Sequence, residues 1–428
     1  MAYRNKNNSL NAYVFAIIYP LGSLLYTLKQ WRCTWAKNAF WIICTFLGFI
    51  QIFHPEGTEL GDGSDSGRYV LNLMYMHDEV DSFSEMQDSF YDGSTLDIYC
   101  DSLTFLVSRF TDNGHVLFLT FAFVFGYFYS RNVWYILDRT PDKLRKWTWC
   151  LIALLFLTCP IWQVNGVRMW TAMHVFLYGA LPFLIEGRKK RLLWVLLSIL
   201  IHHSFIFPIT FMAFYMLFKN SFFRKEKSLK YVFIFYLLSL TINQLNLSSL
   251  NSFLQSVLPS YYEERIDGYV SEETLSLRHD STSGLSWHFY FFSTLKSWLV
   301  PIFVILSYSI MTKFRQSNKI IIPLFTFALL FSAFSNIAGC VPSGGRYIII
   351  ANFFMVSALI LIYSWSPLTL SHTKIFNFLL PILGFTLIFD IRQGLDFYGI
   401  ALALGNIFTA PFIDVDIPII TYIKNFIL

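Results

Sequence analysis

Apolar runs long enough to cross a bilayer alternate along this chain with polar loops, and the charge of each loop gives the direction of each crossing. Residues 11–28 and 38–54 are two such runs, joined by a short loop holding Lys29, Arg32 and Lys37. Short basic loops mark the cytoplasmic side. Residues 55–113 are the reverse, rich in Asp and Glu against only Arg68 and Arg109, and are expected on the outer side. Within them, residues 96–110 alternate apolar and polar positions at helical spacing. That pattern predicts a helix lying on the outer membrane face or capping a cavity.

Residues 114–137 then cross inward to Arg139, Lys143, Arg145 and Lys146, residues 147–162 return outward, and residues 169–185 lead in again to Arg188, Lys189, Lys190 and Arg191. Residues 192–218 are flanked by basic loops at both ends, yet are too short for two full crossings at about 1.5 Å per residue. They predict a hairpin of two short helices with His202, His203 and Ser204 at its tip, reaching roughly into the outer half of the membrane and facing a polar cavity. Residues 231–245 cross outward to a second acidic loop, 246–287. Residues 288–311 and 320–337 follow, and Arg346 opens the next inward helix. Residues 375–389 lead out to Asp390, Arg392 and Asp396, and the last run, broken by Gly405 and Pro411, fits no single crossing. The expected fold is all-α: a polytopic integral membrane protein with about eleven or twelve transmembrane or partial helices, a single membrane domain over residues 1–428, and two outer polar loops.

Composition agrees. Of 428 residues, 55% are hydrophobic and 14% charged, whereas a soluble domain carries about a quarter charged. The basic start at Arg4 and Lys6 is followed by no small-residue cleavage pattern, so the first run is expected to be retained as a helix. Six cysteines without a CxxC pair indicate neither a zinc site nor a disulfide framework. Nothing in the pattern points to nucleic acid, no metal-ligand spacing is present, and no cofactor is called for.

Candidate chemistry comes from charges that are costly at membrane depth. Loop counting puts Arg68, Arg168, His202, Arg346 and Arg392 on the outer side, beside the acidic loops. Several guanidinium forks at the end of a helical bundle suit a pyrophosphate, which they bind bidentately. Arg168 and Arg346 also stand at helix starts, where arginine often only snorkels to the interface. The histidine pair has an equally plain reading as packing residues, Asp65 as one solvated acid among many, and Arg392 as a loop cation.

The stretch from Asn165 to Phe218 resembles the EpsG-like family of Wzy-type exopolysaccharide and O-antigen polymerases. The family motif resembles N-x-x-R-Q-x-x-A, an apolar helix, a basic loop and an apolar run ending in H-x-S. Asn165, Arg168, Ala172, His202 and Ser204 match it, and Met169 replaces the glutamine. In the first outer loop Gly63, Asp65 and Tyr69 match a second motif; Ser66 replaces a tyrosine, and Glu59 stands where an arginine would be, leaving Arg68 as its substitute. The resemblance implies a GT-C-like helical bundle in the bacterial inner (plasma) membrane. It implies a metal-independent glycosyltransferase joining oligosaccharide repeat units carried on undecaprenyl pyrophosphate, with that lipid as donor and acceptor, membrane lipid around it and a chain-length regulator protein as partner. His202 or Asp65 would accept the proton, and Arg168, Arg346, Asn165, Arg68, Tyr69 and Ser204 would bind pyrophosphate or sugar. A lipid-linked oligosaccharide flippase and a membrane sugar O-acyltransferase are the competing classes. A flippase should show repeated halves, and no internal repeat is evident.

Overall fold

The computed structural model describes residues 9–53, 65–91, 97–223, 228–242, 287–313, 321–339, 343–367, 369–413 and 417–427. The expected second outer loop, apart from Trp287, and Gly63 of the first loop lie outside the described residues. The described residues are helical, with one isolated bridge between Gln51 and Tyr398 in place of any sheet. Six helical stretches are long and apolar enough to cross a membrane: Gly114–Leu137, Lys146–Glu186, His203–Phe223, Thr294–Lys313, Gly345–Trp365 and Leu370–Phe397. The chain is an all-α, multi-pass membrane protein.

It divides into two compact units. The first comprises Met1–Lys143, Cys159–Thr210 and Ile388–Leu428. Its N-terminal run is not the single helix expected over 11–28. It is two short ones, α1 (Ser9–Ile18) and α2 (Pro20–Lys29). Pro20 has no N–H to continue a ladder and is instead tolerated as the first residue of the new helix. Next come α3 (Ala36–Phe49), α4 (Asp65–Glu79), α5 (Phe83–Tyr91), α6 (Ile98–Ser108) and α7 (Gly114–Leu137). Close approach of α3 to α7 is set by small residues. A Cβ added to Gly48 would lie 2.2 Å from the Cβ of Ala122, and one on Gly126 would lie 2.7 Å from the Cβ of Cys44. In hydrocarbon, where helices gain little from excluding water, such backbone contact is a main source of association.

The acidic segment expected on the outer side folds as a small cap in which α4 and α5 pack on α6. Met76, Val80 and Met86 form a small core with Phe105 against it. His77 Nδ1 lies 2.5 Å from the Ser108 carbonyl, and Arg109 donates to the Met76 carbonyl, so the end of α4 is tied to the end of α6.

After helix α8 (Lys146–Thr158) a 3₁₀ turn, Ile161–Gly166, leads into α9 (Val167–Glu186). Helix α9 is buried along nearly its whole length. It ends at Gly187, whose φ of 71° is the left-handed conformation glycine adopts without a Cβ penalty. Helix α10 (Leu192–Ile201) returns along α9. A break at 202–205 then separates it from α11 (Ile206–Phe218).

The second unit comprises Leu144–Thr158 and Phe211–Leu387, and so holds α8 and the later part of α11. It adds α12 (Ser228–Ile242), α13 (Trp287–Lys313), α14 (Ile322–Ala338), α15 (Gly345–Trp365) and most of α16 (Leu370–Gly394). Its core is aromatic: Phe211 packs on Phe331 at 5.1 Å between ring centroids and Phe327 on Phe354 at 5.0 Å. The C-terminal region, unplaced by the sequence pattern, belongs to the first unit. It is a chain of short turns, including α17 (Ala401–Leu404), that ends in the amphipathic helix α18 (Ile419–Ile427).

Candidate functional site

The site gathers in the first unit around Asp97, a residue the sequence pattern left among the outer-loop acids. Asp97 precedes the first turn of α6, where an aspartate ordinarily caps its own helix. Its side chain makes no such cap bond. Both carboxylate oxygens turn to the tip between α10 and α11. The Nδ1 of His202 lies 2.8 Å from Oδ2, and the Nδ1 of His203 lies 3.0 Å from Oδ1. The backbone N–H of His203 also donates to Oδ1, at 2.9 Å. Arg168 completes the group, its Nη1 donating to Oδ2 at 3.1 Å.

The local sequence explains why the tip exists. Pro208 has no N–H, and its ring would clash with the carbonyl four residues earlier, so α10 cannot run through Ser204 into α11. The helix breaks at His202, which is extended (φ −152°, ψ 117°) while its N–H still bonds the Ser198 carbonyl at 3.1 Å. Phe205 closes the 3₁₀ turn and is fully buried, with its ring 5.8 Å from that of Phe176 on α9. The break and its anchor thereby present two adjacent imidazoles to one carboxylate.

Asp97 is 1% exposed, so an unpaired charge there would be prohibitive. Burial alone would raise its carboxyl. Hydrogen bonds from the side chains of His202 and His203 and from the His203 N–H outweigh burial and hold it well below the ordinary carboxylate range. Asp97 is an anion that can only accept, so each imidazole donates through Nδ1–H. Each Nε2 is then the atom left to take or give a proton.

Arg168 sits in the first turn of α9, as the pattern predicted. Its Nε donates to the Oη of Tyr69 on α4 at 3.3 Å. Burial raises the Tyr69 phenol, against the smaller lowering by Arg168, so the hydroxyl keeps its proton. With Nε and Nη1 engaged, Nη2 makes no hydrogen bond among the described residues, and the side chain is 44% exposed. Arg168 is held in place on one edge and open on the other.

The remaining expected residues fall around this core or away from it. Ser204 is on the tip, its Oγ 3.7 Å from the Sδ of Met169, the residue standing in the glutamine position of the motif. Asn165 is in the 3₁₀ turn before Arg168, with a buried Oδ1 that no described group bonds. Asp65 and Arg68 pair with each other in the first turn of α4, just before Tyr69, with Arg68 exposed and Asp65 half-buried. Arg392 is not the loop cation expected: it lies in the last turn of α16 and pairs with Asp396 at 2.6 Å. Arg346 belongs to the second unit and is exposed in the first turn of α15.

Sequence reading missed Asp97 and undervalued His203. One signal was available: Asp97 is the outer-loop acid that directly precedes the apolar stretch of the cap helix. The sequence offers no metal-ligand spacing, yet the fold brings Asp97, His202 and His203 together with donor atoms all within 4.8 Å of one another. The chain matches no protein-family model, no curated protein and no solved structure.

Proposed function

We propose that this protein is a membrane glycosyltransferase that polymerises oligosaccharide repeat units carried on a lipid pyrophosphate. The observation that carries the reading is the buried carboxylate of Asp97, which orients two imidazoles and one arginine. Glycosyl transfer from a pyrophosphate needs a group to take the proton of the attacking hydroxyl and a fixed cation for the departing diphosphate. His202 and Arg168 supply these, and the resemblance of Asn165, Arg168, Ala172, His202 and Ser204 to the polymerase motif selects the substrate class.

In the proposed reaction, a hydroxyl of one lipid-linked repeat unit attacks the anomeric carbon of a chain held on a second lipid. A C–O bond forms to that carbon while its bond to the pyrophosphate oxygen breaks, and the electron pair leaves with the diphosphate. The hydroxyl proton passes to Nε2 of His202, whose Nδ1–H remains on Asp97, which steadies the imidazolium as it forms. The open Nη2 edge of Arg168 neutralises the growing charge on the leaving group. Asn165 and Ser204 flank that position as sugar or phosphate contacts, Tyr69 fixes the guanidinium, and Arg68 and Asp65 lie on the adjacent turn of the cap. The bacterial inner membrane is the proposed location, with the cap and the tip facing outward.

Purified protein in lipid vesicles, given lipid-linked repeat units alone, tests this. The expected product is a ladder of longer lipid-linked chains; single units recovered unchanged from folded protein would refute it. Movement of intact units across the bilayer without elongation would identify a flippase, and transfer of acyl groups to the sugar an acyltransferase.

A further inference from the structure

We infer that Asp97, His202 and His203 form a reversible binding site for a divalent transition-metal ion of the Zn2+ class. The donors are one carboxylate and two imidazole nitrogens, a set that suits zinc and disfavours magnesium or calcium, which take oxygen ligands. Nδ1 of His202 and Nδ1 of His203 flank the same carboxylate at 2.8 and 3.0 Å. A tetrahedral ion with bonds of about 2.0–2.1 Å holds its donors roughly 3.4 Å apart, so each carboxylate–imidazole pair would open by a few tenths of an ångström while the three donors, within 4.8 Å of one another, draw together around the ion.

Three protein ligands leave a fourth position for water, the pattern of an open site. Access exists, since the His203 and Arg168 side chains are 37% and 44% exposed. Arg168 would remain as the outer partner of the ligating carboxylate, in the manner of groups that orient ligands from behind. Its positive charge opposes a cation, which is why the site is reversible rather than a permanent structural one.

One consequence rests on the glycosyltransferase reading. A metal on Nδ1 of His202 forces the ring proton onto Nε2, removing the lone pair that would accept the hydroxyl proton. Zn2+ would therefore silence the reaction that the same residues perform when metal-free.

The test uses the full-length protein, stripped with a chelator and titrated with Zn2+ alone by calorimetry and equilibrium dialysis. The expected result is one saturable Zn2+ per chain, not displaced by excess Mg2+ or Ca2+. Affinity should fall at least roughly tenfold in His203→Ala and in Asp97→Asn, and hold in His77→Ala. His203→Ala keeps the Asp97, His202 and Arg168 contacts, so it covers the case in which Asp97→Asn fails to fold. Absence of saturable binding, or equal affinity in wild type and His203→Ala, would overturn the site. Zn2+ binding in a protein with no polymerase activity would uphold the metal site and defeat the glycosyltransferase reading, so the two fail separately.

Discussion

Oδ2 of Asp97 takes hydrogen bonds from two sides, Nδ1 of His202 at 2.8 Å and Nη1 of Arg168 at 3.1 Å, so one oxygen ties the proposed base to the cation proposed for the leaving diphosphate. The cap helix α6, the start of α9 and the break after α10 thus meet at one atom. Loss of that atom should be felt in both folding and chemistry.

Asp97→Asn should lower stability by on the order of 3 kcal/mol, because it removes the anion facing Arg168 and turns one of the two acceptor oxygens into a donor that faces other donors. The low end of the range for broken buried pairs applies, since Arg168 is partly exposed and water replaces some of the loss. Thermal unfolding of the detergent-solubilised variant beside wild type measures it. An unchanged midpoint would mean that the pairing does little to hold the cap to the tip.

The same residue predicts an acid limb. A carboxyl held below its unfolded value of about 3.9 stabilises the fold fully above that value, and the contribution is lost as pH falls through the folded one. The gap in thermal midpoint between wild type and Asp97→Asn should therefore persist near neutrality and narrow as pH drops below about 4. A gap that widens toward acid would contradict the anionic assignment.

Arg168→Lys should keep the charge and lose most polymer formation at normal protein level. Lysine is a point charge on a flexible stem and cannot engage Tyr69, Asp97 and a diphosphate in one plane. Glycan length distribution from cells carrying the variant reads this directly; normal lengths would assign Arg168 to snorkelling and to neutralising Asp97.

Much of the fold was legible because hydropathy and loop charge are local signals. The run predicted over 114–137 is α7, and the helix expected over 96–110 is observed as Ile98–Ser108. The break at His202 was readable from length and flanking charge. The split at Pro20 was also written in the sequence, but an apolar run reads the same whether or not it bends. The site was half legible: Arg168 and the histidines stood out as charges at membrane depth. Asp97 did not, because what distinguishes it from its acidic neighbours is a partner 105 residues away. Its burial is a tertiary fact with no local signature.

Orientation has its own test. Both acidic loops should face away from the cytoplasm, so Ser271→Cys should react with an impermeant thiol reagent in intact spheroplasts. Reaction only after lysis would reverse the topology and remove the outward-facing tip.

The proposed role of the histidine pair is measured most directly as elongation of lipid-linked repeat units by purified wild type, His202→Ala and His203→Ala under identical folding controls. His202→Ala should cut the rate by about 10² to 10⁴ and leave single lipid-linked units. His203→Ala, losing the more exposed ring but keeping Asp97, His202 and Arg168 together, should be far milder. Wild-type activity should decline as pH falls through the range where imidazole is protonated. Equal and small losses in both variants would contradict the proposed base and return the pair to a packing role.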